Sequence, residues 1–337
     1  MSQLSFLQRV DFRLRRELSR FPWLKRRLAA IRNRLLGRFR RERAAEYWDE
    51  RVEVVESAQP QGWLDLELIE REHLRPRLSG DPDVYYLQHF LATWVPERPV
   101  ERMLSLGCGG GNLERAFLDL GAARAIDAND VSAGSIEHAR RAAAEAGYDH
   151  LLTYEVLDLD AEPLPANRYD VVVAKQSLHH VAALEHVYEQ IARALKPGGV
   201  FMFHEFVGPT RFQWSDRQLY EVNRLLAELP PDLRRRTRQV RVGRPTIEDM
   251  IAMDPSEAVR SAEILPLLEE RFEILERKDL GGTLLHLVVH EALHVLDLER
   301  PDHLAILRGW MQRESELLDA GDLPSDFAYV VARPRHV

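Results

Sequence analysis

The chain has 337 residues, 45% hydrophobic and 30% charged, with a formal net charge of −8. This is the profile of a folded globular body and excludes a low-complexity or disordered chain. No run of about 18 apolar residues occurs, so no membrane-spanning helix is predicted. The N-terminus shows neither the apolar stretch nor the small-residue cleavage site of a secretory signal. Cys108 is the single cysteine, which excludes an internal disulfide and makes a reducing, cytoplasmic setting the expectation.

Residues 1–43 carry fourteen Lys and Arg against three acidic residues, a surplus of eleven, so the rest of the chain stands at −19. Within this basic arm Leu7, Val10, Leu14, Leu18, Phe21, Leu24, Leu28, Ile31 and Leu35 recur every three or four positions. The spacing predicts one apolar stripe on a helix, interrupted at Pro22. Such a stripe can pack on the body, lie on a membrane surface as a peripheral contact, or meet a partner helix. No nucleic-acid-binding module is recognisable, and none is expected. A helix, a loop around Gln59–Gly62 and a second helix follow, then an amphipathic helix at "YYLQHFLATWV".

From "RMLSLG" the chain alternates strand and helix. The predicted strands are "RMLSLG", "ARAIDAND", "LTYEVLDLD", "YDVVVAKQSL" and "VFMFHEFVG"; the helices between them include "NLERAFLDLG" and "SAGSIEHARRAAAEAG". The pattern implies a doubly wound parallel α/β sheet, whose ligands bind beyond the carboxyl ends of the strands. After Gly208 the alternation lapses. "DRQLYEVNRLLAEL", "TIEDMIAM" and "SEAVRSAEILPLLEE" read as helices, followed by a strand at "RFEILERKDL", helices at "GTLLHLVVHEALHVL" and "PDHLAILRGWMQRESELLDAG", and a last strand at "SDFAYVVAR".

The densest glycine cluster, "LSLGCGGGNLE", joins the first strand to its helix. Gly107, Gly109 and Gly111 let the backbone turn tightly and approach a ligand, and the helix start adds unpaired amides. Asn112 stands where a dinucleotide fingerprint needs glycine, and no P-loop pattern is present. Asp130 ends the next strand, placed to accept hydrogen bonds from a ribose diol. Asp158, Leu159 and Asp160 close the third strand, and Gln176 follows the fourth.

With these residues in place, the region resembles the class I S-adenosylmethionine-dependent methyltransferases. The resemblance covers residues 100–208 and extends to 271–335. It implies a Rossmann-like seven-stranded sheet ordered 3-2-1-4-5-7-6 with strand 7 antiparallel. It also implies S-adenosylmethionine as the cofactor. Ser105, Gly107, Gly109, Gly111, Asn112, Asp130, Asp158, Leu159 and Gln176 would contact it, with Asp158 preferred to Asp160 for the adenine. One departure is Ser105, where the family often has an acid. "YWDERV", "GWLD", "EFVGPTRFQW", "DPSEAVRS" and "SDFAYVVA" resemble a bacterial subgroup of unassigned substrate.

The expected organisation is a basic helical arm at 1–45, a helical cap at 46–99, the donor-binding core at 100–208, a helical substrate lid at 209–270 and the end of the sheet at 271–337. The expected reaction is O-methylation of a small-molecule, glycan or lipid-linked acceptor. Glu205, His180 and His204 at the strand ends are the candidate catalytic residues, because attack by a hydroxyl needs a proton removed. Arg211, Gln213, Trp214 and Arg260 are the candidate acceptor contacts. Alternatives are N-methylation of a membrane lipid or amine, and a module that binds the donor without catalysis. "HEALH" also matches a zinc-hydrolase pattern, with His290 and His294 as ligands, His286 on the same face and Glu291 as base. No metal is expected in the methyltransferase reading.

Overall fold

The computed structural model describes residues 62–335. The predicted basic arm at 1–45 and the first part of the 46–99 cap lie outside the described residues.

Seven strands form one sheet: β1 Met103–Leu106, β2 Ile126–Asp130, β3 Leu152–Val156, β4 Tyr169–Lys175, β5 Leu195–Phe206, β6 Phe272–Gly281 and β7 Phe327–Pro334. Their order is β3-β2-β1-β4-β5-β7-β6, as expected. Strands β1 to β5 run parallel, while β7 inserts antiparallel between β5 and β6. The central strands are short apolar runs because both faces are covered; all four residues of β1 are buried. One face packs Phe90 and Phe117 with Met103, Val173 and Met202; the other packs Phe201, Phe203, Tyr188 and Phe272. Each buried aromatic is worth about 3–5 kcal/mol against truncation to alanine.

The helices Asn112–Asp119 and Ala133–Glu145 follow β1 and β2 as predicted, and Leu184–Ala194 follows β4. Helices Asp216–Glu228 and Ile247–Met253 form in the predicted lid. The expected continuous helix at "SEAVRSAEILPLLEE" does not form. A loop runs to a short turn at Ser261–Glu263, and the helix is confined to Ile264–Arg271. Asp254 explains the loop: its Oδ1 accepts from Ser256 N–H at 2.7 Å and Ser256 Oγ at 2.6 Å, a side-chain turn that competes with helix.

Candidate functional site

The glycine loop lies at the carboxyl end of β1, between Leu106 and the helix at Asn112. At Gly109, with φ of +51°, a Cβ would find no atom within 4 Å, so this backbone faces open space. Asp130 is fixed beside it. Its Oδ2 accepts from Gly109 N–H at 2.9 Å and its Oδ1 from Ser132 N–H at 2.9 Å. The carboxylate therefore ties the first loop to the turn after β2. Asn112 Oδ1 accepts from the Arg115 guanidinium, and Gln176 Nε2 donates to the His204 carbonyl at 3.2 Å.

The two carboxylates after β3 separate in role. Asp160 Oδ1 accepts from Ala182 and Ala183 N–H at 2.9 and 2.8 Å, ahead of the helix Leu184–Ala194. Asp158 Oδ1 accepts from Asp160 N–H at 3.0 Å. Asp160 is thus bound to backbone amides although its residue is exposed, and Asp158 with Leu159 is half-buried on the loop.

A set of buried polar groups collects on one face of the sheet. Tyr154, Ala128, Ser105 and Val173 are cross-strand partners, and Lys175 pairs with His204 two residues further along. Partners across parallel strands share a face. Ser105 Oγ, Tyr154 OH, both ring nitrogens of His204 and both carboxyl oxygens of Glu114 are buried there without a hydrogen-bond partner. Burial pushes Glu114 up to about 7, although the nearby Ser105 hydroxyl favours its charged form. Burial, with the charge of Lys175, pushes His204 down to about 3. So many unpaired polar atoms at the strand ends mark a place built for a polar ligand. With the open glycine backbone and the anchored Asp130, the residues fit the expected donor.

The candidate catalytic residues are rearranged. Glu205 is 0% exposed. Its Oε2 accepts from Ser177 and Leu178 N–H, each at 2.7 Å. Its Oε1 accepts from Phe206 N–H at 2.8 Å and meets His179 Nδ1 at 2.5 Å. With both oxygens held by three amides and the His179 ring, Glu205 positions His179, the neighbour of the predicted His180. His204, buried and neutral, packs edge-on against Tyr86 rather than facing the lid. Burial alone would lower His179, but Glu205, then Glu257 and Asp254, outweigh it and hold it up at about 9. His180 is lowered by burial and by His179, and its Nδ1 lies 3.1 Å from Ser256 Oγ. His179 Nε2 faces Glu257 Oε1 at 3.5 Å. His179, His180 and Glu257 bring their ligand atoms within 4.8 Å of one another, a spacing a metal ion can use. A cation there would first have to displace the proton that the surrounding carboxylates favour on His179. The adjacent histidines and Glu205 were visible signals, but a one-turn helix at Leu178–His180 gives no periodicity to choose between the rings.

Arg211, Gln213 and Arg260 of the predicted acceptor contacts are engaged with the protein's own groups. Arg211 is buried, and its guanidinium donates to the carbonyls of Glu257 at 2.8 Å and Pro255 at 2.7 Å. Gln213 Nε2 donates to the carbonyls of Arg211 and Pro245. Trp214 stacks on Phe212 with centroids 5.2 Å apart, its indole N–H buried and unpartnered. Arg260 forks onto Glu185 at 2.7 and 2.8 Å and also meets Glu263. An arginine already saturated by two carboxylates has little left for a substrate.

The "HEALH" pattern does not assemble. Its α-helix ends at Ala292, so the four-residue register breaks before His294. His294 Nε2 donates to the Arg236 carbonyl at 2.9 Å, and His286 is buried among Phe206, Phe212 and Phe327.

Residues 104–203 match a family described as a methyltransferase domain. A sterol 24-C-methyltransferase from Aspergillus fumigatus is 33% identical over 120 residues, 36% of this chain and 32% of that protein. The 27-O-demethylrifamycin SV methyltransferase of Amycolatopsis mediterranei is 36% identical over 124 residues, 35% of this chain and 43% of that protein. The match thus spans less than half the length of either relative. Among solved structures, a geranyl diphosphate C-methyltransferase from Streptomyces coelicolor is similar at 17% identity over 88% of this chain and 98% of that one, with a TM-score of 0.49.

Proposed function

We propose that this chain, which belongs to the class I S-adenosylmethionine-dependent methyltransferases through residues 104–203, methylates an oxygen of a small-molecule, glycan or lipid-linked acceptor beneath the 209–270 segment. The observation that carries the reading is the Asp130 carboxylate, clamped by the Gly109 and Ser132 amides beside open glycine backbone. When bound, S-adenosylmethionine supplies a methyl group on a positively charged sulfur.

The chain's own part is to orient an acceptor and take its proton. Glu205 fixes His179, and His179 Nε2 meets Glu257 across 3.5 Å. This pair supports an oxygen acceptor, because a hydroxyl loses its proton as it attacks. Glu205, Glu257 and Asp254 hold the His179 proton against the effect of burial, with the balance near 9. Loss of that proton frees the imidazole as a base, so kcat is expected to rise between pH 7 and pH 9. A profile flat across that range removes His179 as the base.

The similarity to sterol 24-C-methyltransferases favours a second reading, transfer to carbon in an apolar acceptor. The aromatic group of Phe206, Phe212, His286 and Phe327 beside His179 supports it. Radiolabelled donor incubated with separate small-molecule, glycan and lipid extracts tests both. Label in a hydroxylated product supports oxygen and label at carbon the second reading; donor binding without transfer into any extract counts against an enzyme.

The aspartates divide the donor site further. Asp158→Ala is expected to weaken S-adenosylhomocysteine binding about tenfold with little change in melting. Asp160→Ala should instead lose about 1 kcal/mol of stability, having freed two amides at the start of a helix, and keep its affinity. Calorimetric titration with thermal melts reads both, and the opposite pattern assigns the adenine contact to Asp160.

A further inference from the structure

We propose that Glu114 and Lys175 form a two-charge clamp for the amino-acid end of the donor. The Glu114 carboxylate takes its ammonium group and the Lys175 ammonium takes its carboxylate. The proposal rests on the donor reading above and assigns residues within it.

Ser105 stands where the family often carries an acid, so the first strand supplies no charge at that point. The helix Asn112–Asp119 supplies one instead. Glu114, in its first turn, is 0% exposed and its carboxyl lies near the Ser105 hydroxyl. No basic side chain forms an ion pair with it among the described residues, and the Ser105 hydroxyl is the polar side chain beside it. A buried carboxyl without a counter-charge is costly, and a chain keeps one where something else completes it. The groups around it are Ser105, Arg115, Asp130, Cys108, Tyr154, Tyr86 and Lys175. Arg115 is already engaged with the Gly110 carbonyl and Asn112.

Lys175 is the matching half. It ends β4, one residue past Ala174, which pairs with Leu106 at the edge of the glycine loop. Its ammonium lies 5.7 Å from the centroid of the Tyr86 ring and makes no ion pair among the described residues. The side chain is reachable by solvent yet crowded by protein. That crowding lowers its pKa, while Asp65, Glu70 and Glu114 oppose the shift. Glu114 and Lys175 thus feel each other's field without making an ion pair. Two opposite charges held apart on one face, beside the glycine loop, complement a zwitterion.

S-adenosylhomocysteine and 5′-methylthioadenosine share a nucleoside, and only the first has an amino-acid end. Calorimetric titration of the full chain is expected to show the parent preferring S-adenosylhomocysteine by about tenfold or more. Glu114→Gln and Lys175→Met should each erase most of that preference and leave 5′-methylthioadenosine binding within about twofold. Because Glu114 sits near 7 in the free protein, binding between pH 6 and 7 should release a proton in the parent and none in Glu114→Gln. Titrations in buffers of different ionisation heat read that proton. Glu114→Gln should melt no lower than the parent, having lost a buried carboxyl without a counter-charge, which separates a binding role from a folding one. Equal affinity of the parent for the two ligands, or variants that lose both ligands alike, overturns the clamp alone. A parent that binds neither ligand overturns the donor reading and the clamp with it.

Discussion

Gly107→Ala is expected to destabilise the chain by about 2–4 kcal/mol, whereas Gly109→Ala, two residues on, should cost about 1 kcal/mol and instead abolish donor binding. Both residues have positive φ, +64° and +51°, so an alanine at either place is strained. Their surroundings differ. A Cβ on Gly107 would collide with the Ser177 side chain. Ser177 cannot retreat cheaply, because its Oγ donates to the Leu106 carbonyl at 2.8 Å and its N–H to Glu205 at 2.7 Å. A Cβ on Gly109 meets nothing within 4 Å, so the added methyl group projects into the open space proposed for the donor. Thermal denaturation with S-adenosylhomocysteine titration distinguishes the two. If Gly109→Ala binds as the parent does, the open side of the loop is not the donor site.

The other large effect is expected at Glu205. Glu205→Ala should cost about 3–5 kcal/mol, the range for removing one member of a buried, hydrogen-bonded ion pair. Three backbone amides, those of Ser177, Leu178 and Phe206, would lose their acceptor and His179 its counter-charge. The loss carries a pH signature. His179 is raised from 6.5 to about 9 in the folded chain. A histidine raised on folding adds stability that is fully present below the unfolded value and is lost as pH climbs through the folded one. The parent should therefore lose roughly 3 kcal/mol between pH 6.5 and pH 9 from this residue, and Glu205→Ala much less of it. Urea unfolding at both ends of that range measures the difference. An unchanged slope in Glu205→Ala would place the source of the pH dependence elsewhere, with Glu257 and Asp254 the remaining carboxylates around the ring.

The fold was readable from the chain to the extent that it rests on local pattern. The strand–helix alternation, the glycine loop after β1 and the acid at the end of β2 all depend on neighbours within one βαβ unit, and they stand where expected. The 209–270 segment was readable as helices, except at 254–260, where one aspartate side chain displaced a helical turn. The candidate site was less legible. Glu205 had the right residue type in an apolar strand, but a carboxylate there can face substrate or anchor backbone, and sequence does not say which.

What the sequence determined by itself was therefore the sheet order, through its resemblance, and the place of the glycine loop and of Asp130 beside it. What only the tertiary structure decided was the role of each charged side chain. His179 meets Glu205 across 26 positions, Arg260 meets Glu185 across 75, and Arg211 meets Pro255 across 44. Glu114 looked like an ordinary helix residue until its burial beside Ser105 appeared. The physical reason is one of range. Backbone conformation follows residues a few positions apart, whereas the cost or use of a charge depends on which groups the finished fold brings against it and how far it shuts out water.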